Sequence, residues 1–457
     1  MVKRQGDRRC DDLRGHDGAV AAGEVAVDGS PDVQPSKERV YTKEEVSQHN
    51  TPSSCWVVCD DMVVDATSWM PQHPGGSKLL ANFAGQDITD EFAAFHFPPA
   101  YKMLKALQIG RLDKPTEISD DLRAFRELRK SLWKRGYFRP ALGYYTFKIA
   151  LNGLYMAMAI YLFLGQQSRW GFLVGGLLLG LSWQQQLLVA HDVLHLSMVK
   201  DSKLAFRIGR FLGTFLCGIG AAWWKFDHYT HHAVTNVISK DPSAGALPVL
   251  YMSERQVEAH EASETDGRLP FLAGVAINCQ GYTYLPLCLL FGRINLHLLS
   301  ASWQDLPYML GHFIWLFALL SQLPTWFDAI GVYLVSNVVL SILHVQLNLN
   351  HYRNEMFLDE ERVKAGFFRH QLASTANVKT SWWHDWFHGG LQYQVEHHLF
   401  PLLARPHLAE VAPMVKQLAV DYSVTYHEGE FMDLQLECMA ALSRVARWFR
   451  ERERKLV

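Results

Sequence analysis

The sequence has no surplus of charge of either sign: 44 Lys and Arg stand against 46 Asp and Glu, a formal net charge of −2. No chain-wide positive field exists to hold phosphate backbones, so nucleic acid is not an expected partner. Cysteine is sparse and unpatterned. Cys10, Cys55, Cys59, Cys217, Cys279, Cys288 and Cys438 are odd in number and form no repeated ligand pair, which argues against a disulfide framework and a zinc ribbon. Residues 1–35 lack the apolar core of roughly 7–15 residues that a secretory signal carries. The front of the chain is therefore expected in the cytosol, and its Gly, Asp, Ser and Arg content predicts a disordered polar tail over residues 1–39. What is present is apolar and aromatic: 49% of the 457 residues are hydrophobic, with 25 Phe, 17 Tyr and 14 Trp. That excludes a disordered chain and exceeds one small soluble domain. There are also 21 histidines.

Composition changes along the chain. Residues 40–112 read as a small mixed domain, with β-branched runs at Trp56-Val57-Val58 and Met62-Val63-Val64 broken by polar turns. Residues 113–139 form a basic linker, with Arg126, Arg129, Lys130, Lys134, Arg135 and Arg139. Apolar windows follow at Ile149–Leu164, Trp170–Ala190, Phe271–Phe291, Leu306–Leu320 and Ile330–Leu347. Crossing a bilayer takes about 20 mostly apolar residues. The short connections Gly165–Arg169 and Ser321–Thr325 pair four of these windows into two hairpins. Phe271–Phe291, with Gln280, Tyr282 and Pro286, reads as an embedded or buried segment, and the dozen residues Phe211–Ala222 as a re-entrant or surface-lying helix. The polar segments hold Lys200, Lys203, Arg207, Arg210, Lys225, Arg353, Arg362 and Lys364, so the positive-inside rule places them in the cytosol. Residues 426–457 read as a charged C-terminal helix or tail.

The histidines gather at the cytosolic ends of the windows. His191-Asp-Val-Leu-His195 directly follows the second, with both rings on one helical face. His228-Tyr-Thr-His231-His232 follows the short apolar stretch, its i, i+3 and i+4 positions again predicted on one face. Gln394-Val-Glu-His397-His398 comes last, and His344 and His351 lie near the end of the final window. Imidazole suits iron, zinc and copper, and seven clustered histidines suffice for two ions. Ionisable groups gathered at a membrane boundary are costly unless paired or functional. Isolated histidines such as His297 and His312 read as ordinary core or surface residues.

These three clusters, in this order between paired apolar windows, resemble the histidine boxes of membrane fatty-acyl desaturases. The run Asp385-Trp-Phe-His-Gly-Gly-Leu-Gln-Tyr-Gln-Val-Glu-His-His-Leu-Phe-Pro401 is similar to the front-end subgroup, in which Gln replaces the first histidine of the third box. Tyr41-Thr-Lys-Glu-Glu-Val, Cys55-Trp-Val-Val, His73-Pro-Gly-Gly76 and Gly85-Gln-Asp-Ile-Thr-Asp-Glu-Phe92 resemble cytochrome b5. The likeness implies a fold: an N-terminal α+β cytochrome b5-like haem domain, then over residues 140–425 an all-α membrane desaturase domain. That domain would have four transmembrane helices in two hairpins and a cytosolic histidine-box cap.

The likeness also implies a chemistry. His73 and His96 would be the axial ligands of haem b, filling both positions of its iron to make an electron carrier. His191, His195, His228, His231, His232, His397 and His398 would hold two non-haem irons, with His351 the expected extra ligand and His344 left open. Gln394, whose amide is a poor iron ligand beside imidazole, would act at the same centre by hydrogen-bonding a ligand, a bound water or the acyl chain, and Asp192 would orient a histidine or remain a solvated carboxylate. With O2 as co-substrate, the irons would remove two hydrogens from an acyl chain in the membrane and leave a cis double bond between an existing one and the carboxyl end. Electrons would come through the b5 haem from a separate NAD(P)H-cytochrome b5 reductase, because no Gly-x-Gly-x-x-Gly fingerprint follows a strand here. The expected location is the endoplasmic reticulum membrane, multi-pass, with the b5 domain and boxes cytosolic. A sphingolipid long-chain-base Δ8 desaturase, a hydroxylase or an acetylenase would use the same boxes. A histidine-rich metal transporter would place its ligands mid-span, and a membrane-anchored b5 carrier would leave the clusters unused. Regiochemistry and oligomeric state are not encoded in these motifs.

Overall fold

The computed structural model describes residues 39–166, 168–245, 250–264 and 269–456. The polar tail expected over 1–39 falls, except for its last residue, outside them. The chain begins with a five-stranded sheet made of β1 (Val40–Tyr41), β2 (Asn50–Thr51), β3 (Ser54–Cys59), β4 (Met62–Asp65) and β5 (Gln108–Leu112), in the order β1-β5-β4-β3-β2. β1 runs parallel to β5, and the other pairs are antiparallel. The β3–β4 hairpin closes on Asp60 and Asp61 at φ 49° and 61°, the left-handed pair that a two-residue hairpin turn requires and that Asp tolerates. Opposed residues Val57 and Val64 face a core with Cys55, Met70, Leu79, Phe83 and Leu104. Val58 and Val63 face the other side, against Tyr41, Val46 and Leu112. The sheet is thus covered on both faces.

The first of these cores does not end at the border of the haem-type domain. It continues into Tyr229, Ala233, Val234, Val237 and Phe357 of the following part. Ion pairs reinforce the seam. Arg126 meets Asp90 through Nε at 3.0 Å and Nη2 at 2.8 Å, Arg129 reaches the same carboxylate at 3.1 Å, and Arg362 pairs with Glu91 at 3.1 Å. The basic segment expected as a linker is accordingly not a free hinge. It carries a helix, Asp120–Arg135, whose Phe125 and Leu132 are fully buried against Phe368, Leu399 and Phe400. Seven-residue spacing sets both on one face, while Arg126 and Arg129 turn toward Asp90.

Among the described residues three helices are long and apolar enough to cross a membrane, Leu142–Gly165, Arg169–Leu194 and Trp326–Leu349, or up to four where a bent helix pair counts as one span. Three of the four expected spans fall in these helices. Leu306–Leu320 has only 15 residues, about 22 Å at 1.5 Å per residue, against a hydrocarbon core of about 30 Å. Ser202–Leu216 and Ala221–Ala233 pass the same test only as a pair, bent by 112°. The bend lies at Gly218, whose φ is 78°. The window Phe271–Phe291 lies in a continuous 29-residue helix, Phe271–Leu299, with Phe271, Leu272, Leu290, Phe291 and Leu298 exposed. So large an apolar face is normal against lipid and a liability in water. Gly180 lets Arg169–Leu194 approach Trp326–Leu349 closely: a Cβ there would lie 2.5 Å from the Ser336 carbonyl.

The Asp90 carboxylate, itself 5% exposed, balances two guanidinium groups at the domain seam. Replacing Asp90 with Ala strands Arg129 and is expected to destabilise the docked state by about 3 kcal/mol. Faster proteolytic release of residues 39–112, together with an earlier thermal transition in detergent, is the expected reading.

Candidate functional site

His73 follows the short helical turn Met70–Gln72, and His96 ends the helix Thr89–Phe95. Their rings face each other with centroids 6.1 Å apart. Two metal–imidazole bonds of roughly 2 Å each, plus half a ring on either side, fill about that distance. The outer nitrogens are held by backbone: His96 Nδ1 lies 2.9 Å from the Phe92 carbonyl and His73 Nδ1 3.4 Å from that of Gly76. This leaves both Nε2 atoms directed inward. Burial lowers the pKa of both rings, that of His96 to about 4, so they are neutral donors. Gly75 is required by space, since a Cβ there would meet His73 Cε1 at 2.8 Å. The residues present fit a bis-histidine haem.

The second constellation gathers eight imidazoles into two adjoining groups. His191, His195, His228, His232 and His397 form one, and His231, His351 and His398 the other, with the candidate ligand atoms within each group inside 4.8 Å of one another. Nε2 of His228 is 3.0 Å from that of His191 and 2.9 Å from that of His232, and Nε2 of His231 is 3.4 Å from that of His351. The groups touch where His232 and His398 lie 4.1 Å apart, centroid to centroid. His228, His231 and His232 lie beside one another, ring centroids 4.4 to 5.9 Å apart, but divide between the two groups. Successive residues on a helix point about 100° apart, so His231 leaves its neighbours for the second group, and His398 diverges from His397 in the same way.

Partners outside the groups fix the outer nitrogens. His191 Nδ1 donates to Asp192 at 2.8 Å, and Asp192 is paired with Arg405 at 2.6 Å. His231 Nδ1 donates to Asp241 at 2.9 Å, His351 Nδ1 to the Ser374 carbonyl at 3.1 Å, and His398 Nδ1 lies 3.0 Å from Gln371 Oε1. Apart from Asp192, the sequence offered no sign of these partners. Asp241, Ser374 and Gln371 stand 10, 23 and 27 positions from the histidines they support, and Arg405 stands 213 from Asp192, with no motif between. Gln394 is brought to the second group, its Nε2 at 3.2 Å from His351 Nε2 and 3.1 Å from His398 Nε2. His344 is not gathered into either group.

Such a set suits metal. His195 has both ring nitrogens buried without a hydrogen-bond partner, and His397 Nε2, His232 Nδ1 and Gln394 Oε1 are likewise unmatched. Each costs about 1–3 kcal/mol if left so, and an ion in each group satisfies the inward-facing ones. Burial holds His397 and His398 well below the ordinary imidazole range and lowers His351 to about 3, which keeps their lone pairs free. An all-nitrogen donor set with no thiolate fits iron, zinc or copper.

Three cavities adjoin one another beside these groups. An outer cleft of about 1060 Å³ lies beside Gly75 and Gly76 and shares Trp223, Asp227 and Asp241 with a narrower one of about 120 Å³. That second cavity is lined by His228, His231, His351 and Gln394, and also by His344. It shares Trp224, Leu296 and Leu347 with a third, of about 90 Å³, walled mainly by aliphatic side chains such as Leu187, Ile219 and Leu343.

Comparison with known proteins accords with this geometry. Residues 168–430 match the Fatty acid desaturase family, and residues 42–113 match the Cytochrome b5-like Heme/Steroid binding domain. The chain is 33% identical over 422 residues to "Delta(8)-fatty-acid desaturase" of Helianthus annuus, covering 90% of this chain and 92% of the relative. It is 29% identical to "Acyl-lipid (9-3)-desaturase" of Borago officinalis, covering 86% and 90%. To "Fatty acid desaturase 3" of Bos taurus it is 30% identical, covering 91% and 96%. With histidines buried in two groups beside a helical membrane part and a haem-type domain packed against them, this chain belongs to the fatty acid desaturase family and is an oxidoreductase with a fused cytochrome b5-like domain.

Proposed function

We propose that the protein is a front-end desaturase, introducing a cis double bond between an existing double bond and the carboxyl end of a polyunsaturated fatty acyl chain. The observation that carries this reading is the set of adjoining cavities beside both histidine groups: a wide outer cleft lined by charged and polar side chains such as Lys78, Asp227 and Lys240 among apolar ones, and a small, aliphatic innermost cavity. An extended acyl chain has that shape and polarity. In its favour, too, the relatives named above are desaturases of fatty acids or acyl lipids.

Two irons, held by His191, His195, His228, His232 and His397 in one group and by His231, His351 and His398 with Gln394 in the other, would supply with O2 the oxidising power that acid and base side chains lack. Two hydrogens, with the two electrons they carry, would leave the chain, two further electrons would come from the haem, and with two added protons O2 would end as two waters. The protein's own residues position and exclude. Asp192 and Asp241 hold His191 and His231 through Nδ1, so that Nε2 is presented inward. Trp224 stacks on His228 at 4.2 Å and walls the cavity beside it. Leu343, Leu347 and Ile219 keep water from the inner end, where a reactive centre would otherwise be quenched.

The electrons would enter through haem b on His73 and His96, refilled by a separate NAD(P)H-cytochrome b5 reductase. Fusion keeps the carrier at high effective concentration. For topology we take Leu142–Gly165 with Arg169–Leu194 as one hairpin, and Leu306–Leu320 with Trp326–Leu349 as the second, its first arm short. The histidine boxes and b5 domain then lie on the cytosolic face, supported by the Lys and Arg of the segments that share it. The domain boundaries read from the sequence, 40–112, 113–139, 140–425 and 426–457, are retained within this proposal, and the endoplasmic reticulum is the membrane we assign.

Expression in a yeast lacking such products, fed a panel of polyunsaturated acids, is expected to yield acyl chains with one new double bond on the carboxyl side. New double bonds confined to sphingoid bases would overturn the acyl assignment. His397→Ala is expected to abolish product and lower bound iron while leaving the Soret band unchanged; His73→Ala should remove that band. Asp241→Asn leaves every donor atom in place but weakens the orientation of His231. Its affinity for iron in the three-histidine group should fall roughly 10- to 100-fold, read as iron per chain against a chelator series.

A further inference from the structure

We propose that the Phe95 ring is the electronic bridge from the haem to the five-histidine group, so that electrons reach the metal pair on that side. This rests on the haem and iron assignments made under Proposed function. Phe95 is joined by one peptide bond to His96, which faces His73 across the haem cleft. Its ring lies edge-on to His232, centroids 6.4 Å apart at 79°, and 5.7 Å from Tyr229. Both separations are aromatic contact distances. Tyr229 continues to His195 at 5.2 Å, and its hydroxyl donates to the Leu194 carbonyl at 2.7 Å, which fixes the ring. His232 and His195 both belong to the five-histidine group.

Electron tunnelling weakens exponentially with distance, and far more steeply across a non-bonded gap than along covalent bonds. Imidazole, one backbone link and a phenyl ring leave a single non-bonded step from the haem ligand His96 to His232. The other haem ligand offers a poorer exit. His73 is followed by Gly75 and Gly76, and a Cβ built at Gly76 would lie 3.0 Å from Phe226. Phe226 is 40% exposed and stands two residues, about 200° of helix, from His228. No aromatic contact joins it to either histidine group among the described residues. Phe95 has no polar duty of its own: it is half-buried and packs against both apolar cores at the domain seam.

In each transfer one electron leaves the haem, whose iron passes from ferrous to ferric, and one reaches a ferric ion in the five-histidine group, which becomes ferrous. Phe95 is not itself consumed and carries no proton. Two such transfers serve one turnover, and an external reductant, dithionite in the assay, refills the haem.

The test uses the full-length protein in nanodiscs, its haem reduced with stoichiometric dithionite and mixed with oxygenated buffer and dilinoleoyl phosphatidylcholine vesicles while the Soret band is followed. Phe95→Leu is expected to keep the Soret spectrum, the haem midpoint potential and the iron content, yet re-oxidise its haem roughly tenfold more slowly than wild type. Phe95→Tyr and Phe95→Trp should retain a rate near wild type. His397→Ala, expected to lack iron, sets the rate of haem autoxidation. A Leu variant as fast as wild type overturns the bridge alone. Should the Leu variant fail to fold, a Tyr or Trp variant as slow as His397→Ala overturns it in the same way. Wild type no faster than His397→Ala would instead remove the haem-to-iron reading on which the bridge depends.

Discussion

Eight imidazole rings are held in contact where little water reaches them, and everything else in this fold accommodates that fact. Rings packed so tightly leave buried nitrogens without partners, an arrangement with a net cost unless cations sit among them. The supporting carboxylates explain how the chain tolerates the arrangement. Asp192 and Asp241 take up the outer N–H groups, and Arg405 balances the first of them. The cluster is thereby suited to metal and at the same time a constraint on folding, because four separate stretches of chain must arrive together to form it.

The same constraint shapes the seam with the haem-type domain. Its core runs without interruption into Tyr229, Ala233 and Val234 on the helix Ala221–Ala233, which also supplies His228, His231 and His232. One face of that helix therefore packs on the electron-carrying domain while another addresses metal. Asp90 and Glu91, buried and paired with Arg126, Arg129 and Arg362, fix the orientation in a way apolar packing alone would not, since ion pairs with fixed geometry penalise a rotated docking. A tethered but freely tumbling carrier would gain concentration. This arrangement gains geometry as well.

Much of this was legible in the residues. The β-branched runs Trp56-Val57-Val58 and Met62-Val63-Val64 found β3 and β4, because strand preference and the turn between them are local properties. The i, i+4 spacing of His191 and His195 placed both in one group, for helical periodicity is local too. It did not separate His231 from His228 and His232, because the spacing rule says which residues lie near one face and not which of two neighbouring ions each will address. The basic run at 113–139 was read as a linker from composition. Its Phe125 and Leu132 have partners more than 230 residues away, on helices whose approach no local window contains.

By itself the sequence determined which side chains supply the chemistry. Histidine is the one residue type here that is both a neutral metal donor at ordinary pH and patterned at helical spacing, and those properties belong to the residue. Only the tertiary structure decided how the donors divide, five and three, which carboxylate steadies which ring, and that the Phe95 ring beside His96 touches the His232 imidazole. Those relations depend on distances between stretches far apart in the chain, which are set by packing and by the exclusion of water rather than by order along the backbone.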